Sequence, residues 1–269
     1  AAAPILALCD GTRDADEMRT ALLAHFGVRV APEGLAGLLA ALDQTYLLEN
    51  ERTADARARV LSAFRAAPFR VPVLAGGAYP AEPVALAAQL DAYIDEAQTR
   101  YPLEHAPSAA SVRGLVSPHI DYERGGAVYG AVWAPAKSAA LAADLAIIFG
   151  TDHSGGHGKL TLTRQHYATP YGVLPTATAI VEACAAAVSA PFEEELHHRN
   201  EHSIELAAVW LHHMREGRPC EVVPVLCGSF SHFVAGQADP AADPDIAGLV
   251  AALAAASAGR RFLVIAAAD

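Results

Sequence analysis

Strand-like and helical segments alternate along the chain after residue 72, and this alternation restricts the fold more than any other feature of the sequence. Short apolar runs are typical of buried strands, and apolar residues three or four apart are typical of helices. The strand-like runs cover 112–117, 144–149, 220–226 and 261–267. Helices are expected at 83–99, from 125, from 175, from about 200 and at 244–257. Because strands joined by helices run parallel, the pattern predicts an α/β fold in which a mostly parallel sheet has helices on both faces.

The first fifty residues have a different pattern. Residues 14–27 and 32–44 each carry apolar side chains on one helical face, and a short apolar run at 46–48 follows them. The order helix, turn, helix, strand predicts a small winged-helix domain over 1–50. An arginine-rich helix and a proline-flanked stretch at 51–72 are expected to link it to an α/β domain at 73–269. Within that domain, 159–176 has the pattern of a hairpin.

Composition argues against several classes of partner and location. The net charge is −11, and the first fifty residues hold three basic against seven acidic side chains, so nucleic acid is not an expected ligand. Four scattered cysteines without a CxxC pair indicate reduced thiols and a cytoplasmic protein. No membrane helix or signal peptide is expected. Because the sequence begins without methionine and stops as a strand ends, we expect the α/β domain to be truncated at its C-terminal end.

Two of the strand-like runs end in the same way. One reads LVSPHIDYERGG and the other AIIFGTDHSGG, so each passes into a histidine, an aspartate and two glycines. Parallel strands present their carboxyl ends at one edge of a sheet, where ligands bind. His119 and His153 are therefore expected to meet there and ligate a divalent metal, with Asp121 and Asp152 as hydrogen-bonding neighbours. The alternative is that both histidines are ordinary hydrogen-bonded structural residues.

A third group of polar residues opens a helix in the segment HHRNEHSIELAAVWL. His202 and Glu205 are three residues apart, so both can face one site as a general acid/base pair or as support for a metal. Acidic groups such as Glu201 and Glu205 in a first helical turn also stabilise the helix dipole, which is the structural alternative. His197 and His198, just before this helix, are expected to be solvated.

Six short motifs, in order along 73–269, resemble the Memo-like family, whose bacterial members are called AmmeMemoRadiSam system protein B. The motifs are LAGGAYP (74–80), SPHIDY (117–122), FGTDHSGG (149–156), YATPYG (167–172), NEHSIEL (200–206) and VPVLCGSF (223–230). The resemblance implies the fold of the class III extradiol dioxygenases, which are non-haem iron enzymes that open catechol rings. It also implies gene clusters with radical-SAM and AMMECR-type proteins, which are the partners we expect.

The same resemblance implies roles for individual residues. His119 and His153 match the first two metal ligands of the family. Asp269 matches a site aspartate that the family places just before a third histidine, so the third ligand is expected beyond Asp269. Leu74 stands where many members have a histidine.

The segment LCDGTRDADEM…LLAHFG…LLAALDQTYLLE resembles the PqqD-like domains, which are small winged helices that bind peptides in peptide-modification pathways. The resemblance implies either a peptide clamp or a purely structural appendage at the N-terminal end.

These features support two hypotheses about function. In the first, His119, His153 and a third ligand hold Fe(II) in an enzyme of extradiol-dioxygenase type, and His202 or Asp121 moves protons. Its substrate would be a small molecule or a modified peptide. Copper and zinc are alternative metals, and zinc would also suit a hydrolase. In the second hypothesis, the chain is a non-catalytic metal- or peptide-binding scaffold in a radical-SAM-associated modification pathway.

Overall fold

The computed structural model describes residues 3–102 and 112–268. The chain divides into two compact units, Ala1–Ala63 and Phe64–Asp269. The division falls inside one helix, Glu51–Ala66, whereas the sequence pattern places a separate linker at 51–72. Phe64 and Arg70 are both buried, so the residues just before 73 already take part in the second unit.

Helices make up the regular structure of the first unit. They are α1 (Ala3–Leu6), α2 (Ala15–Phe26), α3 (Pro32–Gln44) and most of α4 (Glu51–Ala66). Asp14 and Glu17 form a capping box that starts α2, and Gly27 ends this helix in the left-handed conformation. The core consists of Ile5, Leu8, Met18, Leu22 and Leu35. The two helices predicted at 14–27 and 32–44 are thus confirmed.

The strand predicted at 46–48 is wrong. Tyr46 has a φ of 59°, which is left-handed rather than extended backbone, and Leu47 is 69% exposed. The apolar run forms the turn between α3 and α4, and residues 3–63 contain no strand. The described part of this unit therefore lacks the β-wing that a winged helix requires.

The second unit is built on a five-stranded sheet. In chain order its strands are β1 (Gly114–Ser117), β2 (Leu145–Thr151), β3 (Leu160–Leu162), β6 (Glu221–Cys227) and β7 (Phe262–Ala267). A separate hairpin is formed by β4 (Tyr167–Thr169) and β5 (Gly172–Leu174). The spatial order is β1-β7-β2-β6-β3. The first four strands in this order are parallel, and only β3 runs antiparallel to its neighbour. The predicted α/β fold with a mostly parallel sheet is confirmed.

Helices cover both faces of the sheet because its strands alternate apolar side chains between two cores. Leu263 and Ile265 face one core, and Val264 faces the other. The first core contains α5 (Pro83–Arg100), α6 (Tyr122–Ala142) and α8 (Ser203–Met214), and the second contains α7 (Thr178–Ala185) and α10 (Pro244–Ala256). The remaining elements are the short helix α9 (Ser231–Val234) and two 3-10 turns at Glu195–Arg199 and Pro240–Ala242.

The hairpin predicted at 159–176 is divided between two sheets. Leu160–Leu162 pairs with β6 at the edge of the main sheet, and only the second half of the segment forms the β4–β5 hairpin. Tyr167, at the start of β4, lies beside Arg70, and the two residues form an isolated β-bridge.

None of the helices in 3–102 and 112–268 combines the length and the apolar character that a membrane span needs.

Candidate metal centre

Three histidines converge at the carboxyl edge of the parallel sheet. His119 lies in the loop after β1, His153 follows β2, and His202 immediately precedes α8. One potential ligand atom of each lies within 4.8 Å of one such atom of the other two. β7 lies between β1 and β2, so the two histidines that follow matching strands approach each other across the end of a third strand.

The spacing of the imidazoles suits a shared metal ion. The Nε2 atoms of His119 and His153 are 3.3 Å apart. Two metal–nitrogen bonds of about 2.0–2.1 Å at a tetrahedral angle place their nitrogens about 3.3 Å apart. The ring of His202 stacks on that of His153 with centroids 4.9 Å apart, and its centroid is 5.8 Å from that of His119. The donor set therefore fits an ion that prefers nitrogen ligands.

The three histidines differ in exposure. His119 is only 3% exposed, whereas the side chains of His153 and His202 are 47% and 37% exposed. An ion held between them would have protein beneath it and solvent on one side. This is the arrangement of a site that leaves coordination positions for another molecule.

Glu201 connects two of the three histidines. Its Oε2 atom lies 3.0 Å from Nδ1 of His153, and its Oε1 atom lies 3.1 Å from Nδ1 of His202. The backbone amides of His153, His202 and Ser203 also donate to this carboxylate, at 3.1, 2.7 and 3.0 Å. Glu201 thus accepts from backbone amides at the start of helix α8 and contacts two histidines of the site at the same time.

The hydrogen bonds around Glu201 shift two pKa values. Burial alone would raise the pKa of Glu201, but the hydrogen bonds from His202, His153 and the backbone amides hold this pKa well below its usual range. The hydrogen bond to Glu201 raises the pKa of His202, while partial burial opposes this rise. The carboxylate is therefore charged throughout the neutral pH range, where it can accept hydrogen bonds from both imidazoles.

A glycine at the end of β2 permits helix α8 to start directly above the strand. A Cβ atom at Gly150 would come within 2.5 Å of Ser203 Oγ and of Ile204 Cγ1. The Ser203 hydroxyl donates to the carbonyl of Thr151 at 2.8 Å, which fixes the helix start to the strand end. This contact brings His202 beside His153.

Two aspartates that the sequence pattern places near the metal have other partners. Asp121 starts α6, accepting from the Arg124 amide at 3.0 Å and from the Arg124 guanidinium, which lowers the Asp121 pKa. The side chain of Asp152 contacts His197 Nδ1 at 2.8 Å and the Ser154 amide at 3.0 Å. Neither belongs to the three-histidine group, and the role in proton movement expected for Asp121 stays a prediction.

Glu205 belongs to a buried hydrogen-bond network and does not face the three-histidine group, to which His202 belongs. Its carboxylate contacts Arg70 Nη1 at 2.6 Å and Tyr79 Oη at 2.5 Å, and it accepts from the amides of Val73 and Leu74 at 3.0 and 2.9 Å. With both oxygens occupied and the residue only 1% exposed, Glu205 supports the structure beneath the site. The i, i+3 spacing alone does not reveal this difference from His202.

The expectation that His197 and His198 are solvated is wrong for His198, which is fully buried. Its Nδ1 atom lies 2.7 Å from Tyr167 Oη, and its Nε2 atom lies 3.0 Å from the carbonyl of Thr161. His197 is 30% exposed at its side chain and pairs with Asp152. Asp269, for which the sequence resemblance implies a site role, lies outside the described residues.

Fold and site together define an α/β protein with a candidate histidine metal centre at the carboxyl edge of a mostly parallel sheet. Comparison with known proteins identifies the family. The sequence profile of the Memo-like protein family matches residues 70–242, which is more than half of the chain and includes all three histidines. The chain belongs to the Memo-like family, and the predicted family is confirmed.

Curated relatives carry the same family name. A MEMO1 family protein of Aquifex aeolicus (strain VF5) is 26% identical over 215 residues, which are 78% of this chain and 54% of that protein. One of Archaeoglobus fulgidus is 31% identical over 160 residues, or 60% of this chain and 54% of that protein. One of Methanosarcina acetivorans is 28% identical over 201 residues, or 75% of this chain and 66% of that protein. The chain spans about half the length of the first two relatives.

Proposed function

We propose that this Memo-like chain binds a divalent metal ion through His119, His153 and His202. The observation that supports the proposal is the convergence of three imidazoles from three separate loops, with two Nε2 atoms at the spacing of ligands on one ion. His202, which the sequence pattern assigns to proton transfer, takes the place of the third ligand. A further ligand from beyond Asp269 would complete or replace part of this set.

Fe(II) is the ion we propose, with copper and zinc as alternatives, because neutral imidazole nitrogens suit all three. When bound, Fe(II) supplies a Lewis acid that can also transfer electrons. The protein residues supply the geometry: buried His119 anchors the centre, and the exposed sides of His153 and His202 leave room for a substrate.

For the reaction, we propose an oxygenase of extradiol-dioxygenase type that acts on a small molecule or a modified peptide. Support comes from family membership and from the open side of the histidine centre. The competing proposal is a non-catalytic metal- or peptide-binding scaffold, because an exposed centre serves binding as well as turnover. Radical-SAM and AMMECR-type partner proteins belong to both proposals, and co-purification with them would support either.

The first experiment is elemental analysis of protein purified without oxygen. We expect about one iron or copper per chain in the wild type, and loss of that metal in His119→Ala, His153→Ala and His202→Ala. His25→Ala is the matched control, because His25 is exposed on α2 and outside the histidine group. Retention of full metal content in all three site variants, or a wild type that takes up no metal after anaerobic reconstitution, would overturn the proposed centre.

If metal is bound, dioxygen uptake with a panel of catechols distinguishes the two functions. Substrate-dependent uptake that is lost in the His153→Ala variant supports the oxygenase. Saturable binding of ligand without oxygen consumption supports the scaffold.

A further inference from the structure

We infer that Glu201 is the positioning residue of the metal centre: one carboxylate fixes the tautomer of His153 and holds the ring of His202 beside it. The inference rests on the proposed function, because it assigns a role in building that site. Neither the spacing of the motifs nor the family name assigns Glu201 a role at the metal centre.

The chemistry of the hydrogen bonds determines the tautomers. A carboxylate only accepts hydrogen bonds, so each imidazole nitrogen that contacts it must carry a hydrogen. Glu201 contacts Nδ1 of His153 through Oε2 and Nδ1 of His202 through Oε1. A neutral imidazole has only one N–H group. His153 is therefore held as the Nδ1–H tautomer, which leaves its Nε2 with the lone pair that a metal needs. The His202 ring also hydrogen-bonds to the backbone carbonyl of His119, so Glu201 positions this ring without alone deciding its tautomer.

The environment of Glu201 keeps its carboxylate in place. The residue is 9% exposed, and three backbone amides donate to its oxygens. These amides come from the loop after β2 and from the start of α8, so the carboxylate joins the two segments that carry His153 and His202. Partners of this kind orient metal-binding histidines, and their loss weakens metal binding by about 10-fold to 100-fold.

Helix capping is the competing explanation for these contacts, and the substitution Glu201→Gln separates the two roles. With its oxygen at the position of Oε1, the substituted glutamine can still accept from the amides of His202 and Ser203, which keeps the bonds to the helix start. Its NH2 group then replaces Oε2 beside His153 and can only donate. The His153 imidazole must then accept at Nδ1, so its hydrogen moves to Nε2, where it competes with the metal. Capping alone would leave the tautomers and the metal affinity unchanged.

The test compares wild type, Glu201→Gln and Asp243→Asn in the full chain, with Zn(II) and Co(II) as probes. Asp243 is the matched control, because its carboxylate caps α10 by accepting from the amides of Asp245 and Ile246 at 3.0 Å. We expect the Zn(II) affinity, measured by chelator competition, to fall about 10-fold to 100-fold in Glu201→Gln and to stay unchanged in Asp243→Asn. The visible absorption of bound Co(II) should change in Glu201→Gln as one nitrogen ligand is lost.

A second measurement does not depend on metal or on the variant folding. Nitrogen NMR of the metal-free wild type at about pH 9, above the usual imidazole pKa, should show His153 as the Nδ1–H tautomer. An Nε2–H tautomer at His153, or unchanged Zn(II) affinity in folded Glu201→Gln, overturns the role of Glu201 while leaving metal binding intact. Absence of Zn(II), Co(II) and iron binding in the wild type would instead overturn the proposed function.

Discussion

Nη1 of Arg70 lies 2.6 Å from Oε2 of Glu205, and the two side chains are 1% and 0% exposed. Arg70 also donates from Nε to the carbonyl of His198 at 2.6 Å and from Nη2 to the carbonyl of Glu201 at 2.8 Å. This buried ion pair therefore connects the start of the second unit to the loop and helix that carry the candidate metal centre.

Loss of one partner of this pair should strongly destabilise the second unit. Arg70→Met leaves the Glu205 carboxylate buried without its cation, and the expected loss is about 3–5 kcal/mol in the free energy of unfolding. This loss can be measured by urea unfolding, monitored through the fluorescence of the two tryptophans, Trp133 and Trp210, because both are buried in this unit. Arg124→Met breaks an exposed pair with Asp121 and should leave the midpoint unchanged. Equal stability of wild type and Arg70→Met would contradict the assignment.

Stability should fall in mild acid because two histidines are buried in their neutral form. Burial lowers the pKa of His198 to about 3 and that of His212 to about 4. In the unfolded chain both take up a proton near pH 6.5, so their stabilising contribution is complete above that pH. This contribution to the free energy of unfolding is lost as the pH falls towards the pKa values of the folded state, at up to about 1.4 kcal/mol per pH unit for each histidine.

Urea unfolding at several values between about pH 4.5 and 7.5 tests this dependence. His198→Asn and His212→Asn remove one titrating group each, so each should flatten the decline towards acid. His25→Asn changes an exposed residue and should leave the profile as it is. A wild-type profile that is flat across this range would contradict the prediction.

Helices α5 and α6 should separate if Gly130 gains a side chain. A Cβ atom at Gly130 would overlap the backbone carbonyl of Tyr93, which cannot move aside as a side chain can. Gly130→Ala is expected to reduce the free energy of unfolding by about 1–3 kcal/mol. Gly37→Ala, in an open position of α3, should be neutral or stabilising by up to about 1 kcal/mol. Circular dichroism during heating measures the stability of both variants. An unaltered unfolding transition in Gly130→Ala would show that α5 and α6 do not pack this closely.

The cysteines should differ sharply in reactivity. Burial raises the pKa of the Cys227 thiol to about 12 and those of Cys184 and Cys220 to about 11. Because the thiolate is the reactive form, these three should react slowly with a disulfide reagent at about pH 8. Cys9 and Cys227 are the two partly buried cysteines, and because the pKa of the Cys227 thiol is raised, Cys9 should react first. One fast thiol in the native protein and four after denaturation is the expected count, and rapid reaction of all four without denaturant would contradict it.

Much of the second unit could be predicted from the sequence because its signals are local. Runs such as DLAIIF and RFLVIAA are almost wholly apolar, which is typical of a strand inside a sheet, and the helices between them carry apolar residues on one face. The prediction for 46–48 is wrong because a three-residue apolar run is too short to show whether it forms a strand or a turn, and Tyr46 adopts a left-handed backbone. The burial of His198 could not be predicted because a single histidine carries no periodic pattern that indicates it.

By itself the sequence determined the α/β class, the Memo-like motifs and the placement of His119 and His153 at the ends of two strands. Only the tertiary structure decided that β7 lies between those strands and that His202 completes the group. It also assigned Glu201 to the histidines and Glu205 to Arg70, although both glutamates flank the same helix start. The physical reason is that Glu205 lies inside α8, where the buried face of the helix sets its direction, whereas Glu201 lies in the loop before α8, where its contacts depend on how that loop meets the end of β2.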